Sequence, residues 1–449
     1  MGLILCAVVF VGVLILSWRS LVAGLLAVFA VGWVYGILRA NLLDLGTYFL
    51  FDAATAAIYL SQLIRHSDPD RKRRARPLLI WTCVLCGWAL VMALIPMQPM
   101  LVQLVGLRGN AWFLPFMMLG AFLTREEARR LALGLAALNL LAFAFAIAEY
   151  LTDVTLFFPE NDATRIVYLS NDVAGYTAYR IPATFITAGM YGGVMTSTLP
   201  WLLGAIFLPR NRRWHVWLLG AGIFAAVLGN FMAATRANIV PCFAILAVTP
   251  LVVRMRSEVV LGVIAMVLAI AVIVSGEERM QRFTTLGDTA GTGNRIAGSI
   301  NVRMLELAEE YPMGVGMGAG GTNLPAFIAS QVRVDRSAMM ESEISRLLLE
   351  VGLPGLALWV AFVFWLAFGP IRRRDEWYPG RRLLWYSTMG SLAGASIGLG
   401  LLISIPSTAL FFLGIGFMMS ESAGGRPDSL RGRRGSVPAK PSETPEPVR

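Results

Sequence analysis

Five charged residues of this sequence could together handle an anionic substrate and a proton. Three are arginines beside apolar runs: Arg180 in "AYRIPATFITAGMYGG", Arg236 in "FMAATRANIV" and Arg303 in "NVRMLELAEEYP". Guanidinium groups present planar, permanently charged donor forks, so three of them would suit a diphosphate. The other two are Glu341 and Glu343 in "MESEISRLLLEVGLPGL", and one of these carboxylates could accept a proton from a hydroxyl nucleophile.

Each arginine also has an ordinary explanation. Arg180 and Arg236 could be interface residues that extend their charged ends out of a bilayer. Arg303 could pair on the surface of a short helix with Glu306, three residues later. The link around Arg236 is too short to carry its side chain far from the neighbouring helix ends, which favours a functional position for this arginine.

The two carboxylates stand immediately before an apolar run. One explanation is that acidic residues favour the N-terminus of a helix through its dipole. The other is that one carboxylate, partly desolvated near the arginines, acts as a general base. The histidines are excluded from this role because His66 and His215 both lie in links predicted to face the cytoplasm.

The elements that position these residues are predicted from composition. The chain has 449 residues, of which 57% are hydrophobic and 15% charged, and its mean hydropathy is +0.66. These values are typical of repeated bilayer crossing and predict an all-α polytopic membrane protein with about 12–13 transmembrane helices. The predicted spans are 2–17, 21–38, 46–64, 78–97, 110–123, 131–149, 182–208, 216–232, 237–253, 259–275, 346–368, 383–404 and 408–420.

The Arg-rich links explain the net charge of +10. They lie between apolar segments and alternate with links poor in basic residues, as expected of cytoplasmic loops. We therefore predict a lipid bilayer partner and no nucleic acid, because no basic stripe with interleaved aromatic residues occurs. The predicted divisions are 1–77 (N-terminal helices and a basic loop), 78–275 (central bundle), 276–345 (outer loop domain), 346–420 (C-terminal helices) and 421–449 (disordered cytoplasmic tail).

The long outer link carries structure of its own. Asn301 could cap a short helix that ends near Tyr311, after which Pro312 and "MGVGMGAGG" follow. These glycines could form a flexible turn or a nest of backbone N–H groups around an anion. A dinucleotide site is rejected because no strand precedes the glycines. The four cysteines lie in apolar segments and predict neither a metal site nor a disulfide, and no cofactor is expected.

The order of "TRANIV" at 235–240, "NVRMLELAEEYPMGVGMGAGG" in a long outer loop and "ESEISRLLLEVGLPGL" entering a span resembles the O-antigen ligase and polymerase superfamily of bacterial membrane glycosyltransferases. The resemblance covers roughly residues 78–420 and rests on the order of loose motifs. It implies a GT-C type architecture in the bacterial inner membrane, with the active site facing the periplasm. It also implies an undecaprenyl-diphosphate-linked oligosaccharide donor, a glycan acceptor and possible polysaccharide assembly partners.

By position, the resemblance implies catalytic roles for Arg236 and Arg303, which would bind the diphosphate together with Arg180. Glu341 is the expected general base, with Glu343 as the second choice and a substrate-binding residue. Ligases of the superfamily commonly have His-Asn where this chain has Glu341 and Ser342, so the resemblance favours a polymerase of O-antigen or exopolysaccharide over a ligase. The alternative from another class is a transporter or flippase for a lipid-linked or anionic glycan.

Overall fold

The computed structural model describes residues 1–65, 69–161, 164–168, 179–209, 211–253, 303–321, 328, 331–333, 342–369, 371, 376–396, 398 and 400–420. Every regular element in these ranges is a helix, which confirms the predicted all-α class for the described part of the chain. The predicted span at 259–275, most of the 276–345 loop and the tail from 421 lie outside the described residues.

The α-helices are numbered in chain order, and two short 3-10 helices occur at Leu45–Phe49 and Val154–Leu156. The first eight are α1 (Gly2–Arg19), α2 (Leu21–Asn41), α3 (Leu50–Ile64), α4 (Pro69–Leu94), α5 (Met100–Ala111), α6 (Phe116–Phe122), α7 (Arg125–Leu151) and α8 (Arg165–Tyr168). The others are α9 (Ala188–Ile206), α10 (Arg213–Met232), α11 (Arg236–Val253), α12 (Arg303–Glu310), α13 (Glu343–Phe368), α14 (Tyr378–Ala395) and α15 (Ser407–Met419).

Seven helices of the described part are long and apolar enough to cross a membrane: α1, α2, the Ala75–Leu94 part of α4, α7, α10, α11 and α13. Such helices satisfy their own backbone groups, which lipid cannot do. The protein is therefore a multi-pass α-helical membrane protein. The other described helices that overlap predicted spans, namely α3, α5, α6, α9, α14 and α15, are shorter or less apolar.

Several predicted spans differ from the helices observed; the span at 383–404, for example, is helical only as far as Ala395, the end of α14. The span at 110–123 is two helices, because the chain turns at residues 112–115; Pro115 has no N–H to continue the ladder, and the Tyr59 hydroxyl donates to the Trp112 carbonyl at 2.7 Å. The span at 182–208 becomes helical only at residue 188. Pro182 and the left-handed backbone of Ala183 (φ 54°) precede the Thr187 cap, whose side chain accepts the Met190 N–H.

Small residues let the helices approach closely. A Cβ added to Gly416 in α15 would lie 1.9 Å from the Met117 carbonyl oxygen of α6, and one added to Gly120 would lie 2.1 Å from the Leu413 carbonyl oxygen. The backbones of α6 and α15 therefore touch, so the broken α5–α6 segment is held inside the bundle. Glycine at such crossings is a common packing device of membrane helices.

Arg180, Arg236 and Glu343 lie in or beside segments that are linked by contacts at one end of the bundle, which we call the outer end. It is defined by the turn between α10 and α11, the segment 181–187, the segment 400–406 and the first turn of α13. These parts are joined by close contacts: a Cβ on Gly36 would lie 2.3 Å from the Phe185 carbonyl carbon, and one on Gly32 would lie 2.7 Å from Pro406.

Candidate functional site

Arg236 begins α11, immediately after the turn 233–235 that follows α10. Ala234 in this turn is 1% exposed and has a φ of 46°. A left-handed backbone is unfavourable for alanine, so the surrounding packing must enforce it, and such strain clusters at functional sites. The turn leaves Arg236 half-buried, and its Nε is buried without a hydrogen-bond partner in the described part of the chain.

Amide side chains fix this turn against the start of α9. Asn238 Nδ2 donates to the Gly189 carbonyl at 2.8 Å. The Thr196 hydroxyl lies 3.1 Å from both Asn230 Oδ1 and the Asn238 carbonyl. A Cβ on Gly192 would lie 3.0 Å from Asn238 Nδ2, so a larger residue would crowd this amide. The amide side chains of Asn230 and Asn238 therefore have partners within the fold. The Nε of Arg236 has no hydrogen-bond partner in the described part of the chain.

Arg180 is half-buried and precedes the non-helical segment 181–187. On its N-terminal side, the Tyr179 ring packs edge-on against Tyr168 with 5.3 Å between centroids. Burial raises the pKa of the Tyr168 hydroxyl, which donates to the Phe158 carbonyl and stays a donor at neutral pH. Both contacts restrict where the backbone can place Arg180.

Glu149, near the end of α7, is a residue that the sequence reasoning missed. It is 1% exposed, and its Oε2 accepts the N–H of the strained Ala183 at 2.9 Å. Its Oε1 has no partner in the described ranges, and neither have the buried hydroxyls of Thr184 and Tyr191. The signal was available in the sequence, because an acidic residue at the end of the apolar run 131–149 is costly to bury.

Of the predicted site residues Arg303 and Glu341, only Arg303 lies within the described residues. Arg303 begins α12, and Leu307 of this helix packs on Leu348 and Leu349 of α13. The prediction of a short helix running through Tyr311 is confirmed with observed bounds of 303–310, and its predicted cap Asn301 lies outside the described residues. Glu341 lies outside the described residues, directly before the residue that caps α13.

Glu343 is 1% exposed and both of its carboxylate oxygens are occupied. Oε1 accepts from Arg346 Nε at 2.7 Å, and Oε2 accepts the Gly400 N–H at 3.0 Å. Arg346 is itself 2% exposed. The structure therefore places Glu343 in a buried ion pair with Arg346. The sequence instead predicted a carboxylate that binds substrate.

Arg346 also binds a second carboxylate one turn later. Its NH1 lies 2.6 Å from Glu350 Oε2. Asn110 of α5 donates to the same Oε2 at 2.6 Å, and the Gly320 N–H donates to Glu350 Oε1 at 3.3 Å. We call Glu343, Arg346, Glu350 and Asn110 the buried network. Arg346, Glu350 and Asn110 were not among the candidate residues predicted from the sequence.

The glycine segment 314–321 is docked on α13, rather than a free turn. Helix α13 breaks at Gly352, which has φ 69°. The break frees a carbonyl and an N–H, and the loop satisfies both: the Val315 N–H donates to the Leu349 carbonyl at 2.7 Å, and the Leu353 N–H donates to the Pro312 carbonyl at 2.8 Å. Four glycines of the segment have positive φ, which only glycine adopts freely.

A second ion pair lies at residues that the sequence reasoning passed over. Arg108 Nε of α5 lies 2.7 Å from Asp52 Oδ1 of α3, with side chains 23% and 13% exposed. Close by in the chain, the Arg39 guanidinium stacks over the Tyr48 ring at 4.0 Å. Arg108 is therefore committed to a structural partner.

The structure brings some of the predicted residues to the outer end without joining them. Within the described residues, no hydrogen bond or ion pair links Arg236 to Glu343, because Glu343 is bound to Arg346 and Gly400. The convergence of Arg180, Arg236, Arg303 and Glu341 on one cavity stays a prediction. No group of His, Cys, Asp or Glu in the described ranges has the arrangement of a metal site.

Comparison with known proteins leaves the family open. No protein family model matches the chain, and no curated protein sequence matches it significantly. The resemblance to the O-antigen ligase and polymerase superfamily therefore remains a prediction from the motifs.

Proposed function

We propose that this protein is a membrane glycosyltransferase that uses an undecaprenyl-diphosphate-linked oligosaccharide at the outer end of its bundle. In this proposal the outer end faces the periplasm, the chain has about 12–13 crossings in a GT-C type arrangement in the bacterial inner membrane, and polymerisation is favoured over ligation. The observation that supports it most directly is Arg236: a strained, buried turn holds a guanidinium whose Nε is buried and unpartnered in the described part of the chain.

An unpartnered buried donor favours a ligand over a structural role. Leaving a buried hydrogen-bonding group unsatisfied costs about 1–3 kcal/mol, more for charged groups, so folds rarely keep one without a use. A phosphate oxygen would satisfy the Arg236 Nε and offset its charge. Arg108 and Arg346 also have one buried guanidinium nitrogen each without a hydrogen bond, but both are bound to carboxylates. Among these three arginines, Arg236 differs in having no ion pair with a carboxylate in the described part of the chain.

The proposed reaction needs a leaving diphosphate and a proton acceptor. The acceptor sugar hydroxyl attacks the anomeric carbon of the donor, the bond from that carbon to the diphosphate oxygen breaks, and undecaprenyl diphosphate leaves with the electron pair. Arg236, with Arg303 and Arg180, stabilises the negative charge on the diphosphate, and such preorganised stabilisation is usually the largest catalytic term. The hydroxyl proton passes to Glu341, since both oxygens of Glu343 are already occupied.

The decisive experiment uses purified protein in liposomes that contain lipid-linked repeat units. New glycosidic bonds, seen as longer lipid-linked glycans, would support the enzyme. Translocation of the lipid-linked units without any new bond would support the transporter or flippase instead and refute the proposal.

Variants then assign the residues. Arg236→Ala and Glu341→Gln should each abolish chain extension, and Arg236→Lys should lose most of it because an ammonium cannot make a two-pronged phosphate contact. Arg130→Lys, in an exposed pair with Glu126, is the control and should leave extension unchanged. Unchanged extension in Arg236→Ala would remove this residue from the site.

Within the enzyme class, a deletion strain separates polymerase from ligase. Loss of a polymerase leaves single repeat units on the acceptor, whereas loss of a ligase leaves long polymer on its lipid carrier. We expect single units.

A further inference from the structure

We propose that Arg346 is a positioning residue that holds the glycine segment 314–321 docked on the bundle and thereby holds the Arg303 helix against α13. The inference rests on the proposed function for its catalytic consequence. The docking itself is a separate claim about the buried network and can be tested without any substrate.

The buried network joins four parts of the chain at one side chain. Arg346 holds Glu343 and Glu350 through contacts of 2.7 and 2.6 Å. Glu343 in turn receives the Gly400 N–H from the segment between α14 and α15, and Glu350 receives Asn110 of α5 and the N–H of Gly320 in the glycine segment. Loss of the Arg346 charge would leave two carboxylates facing each other in a buried position.

The glycine segment has no room to dock in another way. A Cβ on Gly318 would lie 2.4 Å from the Val102 carbonyl oxygen of α5, and one on Gly320 would lie 2.7 Å from Arg346 Cγ. The segment therefore packs between α5 and α13. Among the hydrogen bonds of the described residues, its only bond to a charged side chain is the one from the Gly320 N–H to Glu350.

Two consequences follow for the proposed site. Helix α12, which starts at Arg303, packs on the same turn of α13 through Leu307, Leu348 and Leu349, and Ala319 of the glycine segment completes that cluster. Ser342 caps α13 by accepting the Ser345 N–H, so the turn that carries Arg346 starts from a fixed cap. Undocking the segment would remove part of the support of the Arg303 helix.

A buried ion network is a poor source of net stability. Replacing such groups by apolar residues of similar volume is often neutral or stabilising, because the desolvation of the charges offsets their attraction. A leucine or methionine at 346 would fill the same space next to Leu347 and Leu348. The presence of directional charged contacts therefore points to a requirement for geometry rather than for stability.

The docking is tested by cysteine labelling. Ala319→Cys, at a position 6% exposed, should react slowly with a membrane-impermeant maleimide, whereas Met313→Cys, at a position 52% exposed, should react fast. Adding Arg346→Gln or Gly320→Ala should raise the Ala319→Cys labelling rate about tenfold, as expected when a charged hydrogen bond is lost or a clash is introduced. The chain without either added cysteine gives the background of the native thiols.

Gly320→Ala keeps every charge in place, so it tests the proposal even if Arg346→Gln does not fold. Its matched control is Gly390→Ala, where a Cβ would meet nothing within 4 Å. In the liposome assay, Gly320→Ala should raise the apparent KM for the lipid-linked donor about tenfold, whereas Gly390→Ala should leave it unchanged.

Three outcomes decide the question. Unchanged labelling of Ala319→Cys in both variants overturns the docking role, and raised labelling with unchanged KM overturns its catalytic consequence. If the parent protein extends no glycan, the proposed function fails, while the labelling result still decides whether Arg346 docks the segment.

Discussion

Replacing Arg236 by methionine should lower activity without lowering stability, an unusual combination for a half-buried arginine. The substitution removes the guanidinium but keeps an apolar stem of similar length. In the ligand-free protein it removes a buried Nε that has no partner in the described residues, which relieves about 1–3 kcal/mol of desolvation cost. The thermal midpoint should therefore equal or exceed that of the parent.

The loss of activity follows from the same atom. A hydrogen bond to a charged group contributes about 1.5–3 kcal/mol, and every 1.36 kcal/mol is tenfold in rate. Loss of the Arg236 contact to the diphosphate should therefore lower kcat/KM at least about tenfold, and by more than a hundredfold at the upper value. Arg108→Met is the matched comparison, because its Nε is bound to Asp52 at 2.7 Å, and its loss leaves a mostly buried carboxylate without its cation.

The assay is thermal unfolding of purified protein in detergent, with and without lipid-linked donor. The donor should raise the thermal midpoint of the parent protein but not that of Arg236→Met, because a ligand stabilises only the state that binds it. Arg108→Met should unfold at a lower temperature than the parent. The reasoning is refuted if Arg236→Met is destabilised as much as Arg108→Met while it still extends glycans.

Two further predictions concern the segment after Arg180. Glu149→Gln keeps an acceptor for the Ala183 N–H and should preserve the thermal midpoint. Glu149→Leu leaves that N–H unsatisfied and should cost about 1–3 kcal/mol of stability. Equal thermal midpoints for the two variants would contradict this prediction. Gly36→Ala places a Cβ 2.3 Å from the Phe185 carbonyl carbon and should destabilise by about 1–3 kcal/mol, while the control Gly12→Ala, which meets nothing within 4 Å, should not; thermal unfolding of both variants checks the difference.

The helices were predictable where the chain itself carries their start and end. Helix α7 begins inside the basic link "TREEARR" because the side chains of Thr124 and Glu127 form a capping box, a signal that the letters contain. The span predicted at 131–149 was therefore six residues late at its start and close at its end, with observed bounds of 125–151. Hydropathy locates the apolar part of a helix, and caps locate its ends.

The breaks were not predictable in the same way. Proline and glycine at 352–354 signal only that α13 could bend. That it breaks at Gly352 depends on partners from distant segments: the Pro312 carbonyl, the Val315 N–H and the Trp88 indole, which donates to the Val351 carbonyl at 3.0 Å. These contacts satisfy the freed backbone groups, and hydrophobic periodicity carries no information about them.

The arginines show why site prediction from sequence stops where it does. Arg108, Arg236 and Arg346 all lie in or next to apolar helices, and the sequence reasoning selected only Arg236. Their roles differ because their partners differ. The carboxylate partner of Arg108 lies 56 residues away in the chain, and that of Arg346 lies within about one turn of its own helix. The Arg236 Nε has no partner in the described part of the chain. An arginine whose charge is offset by a buried carboxylate holds the fold, and one without a carboxylate partner can bind an anion. The distinction that matters for function is therefore the state of each guanidinium's partners, which only the tertiary structure determines.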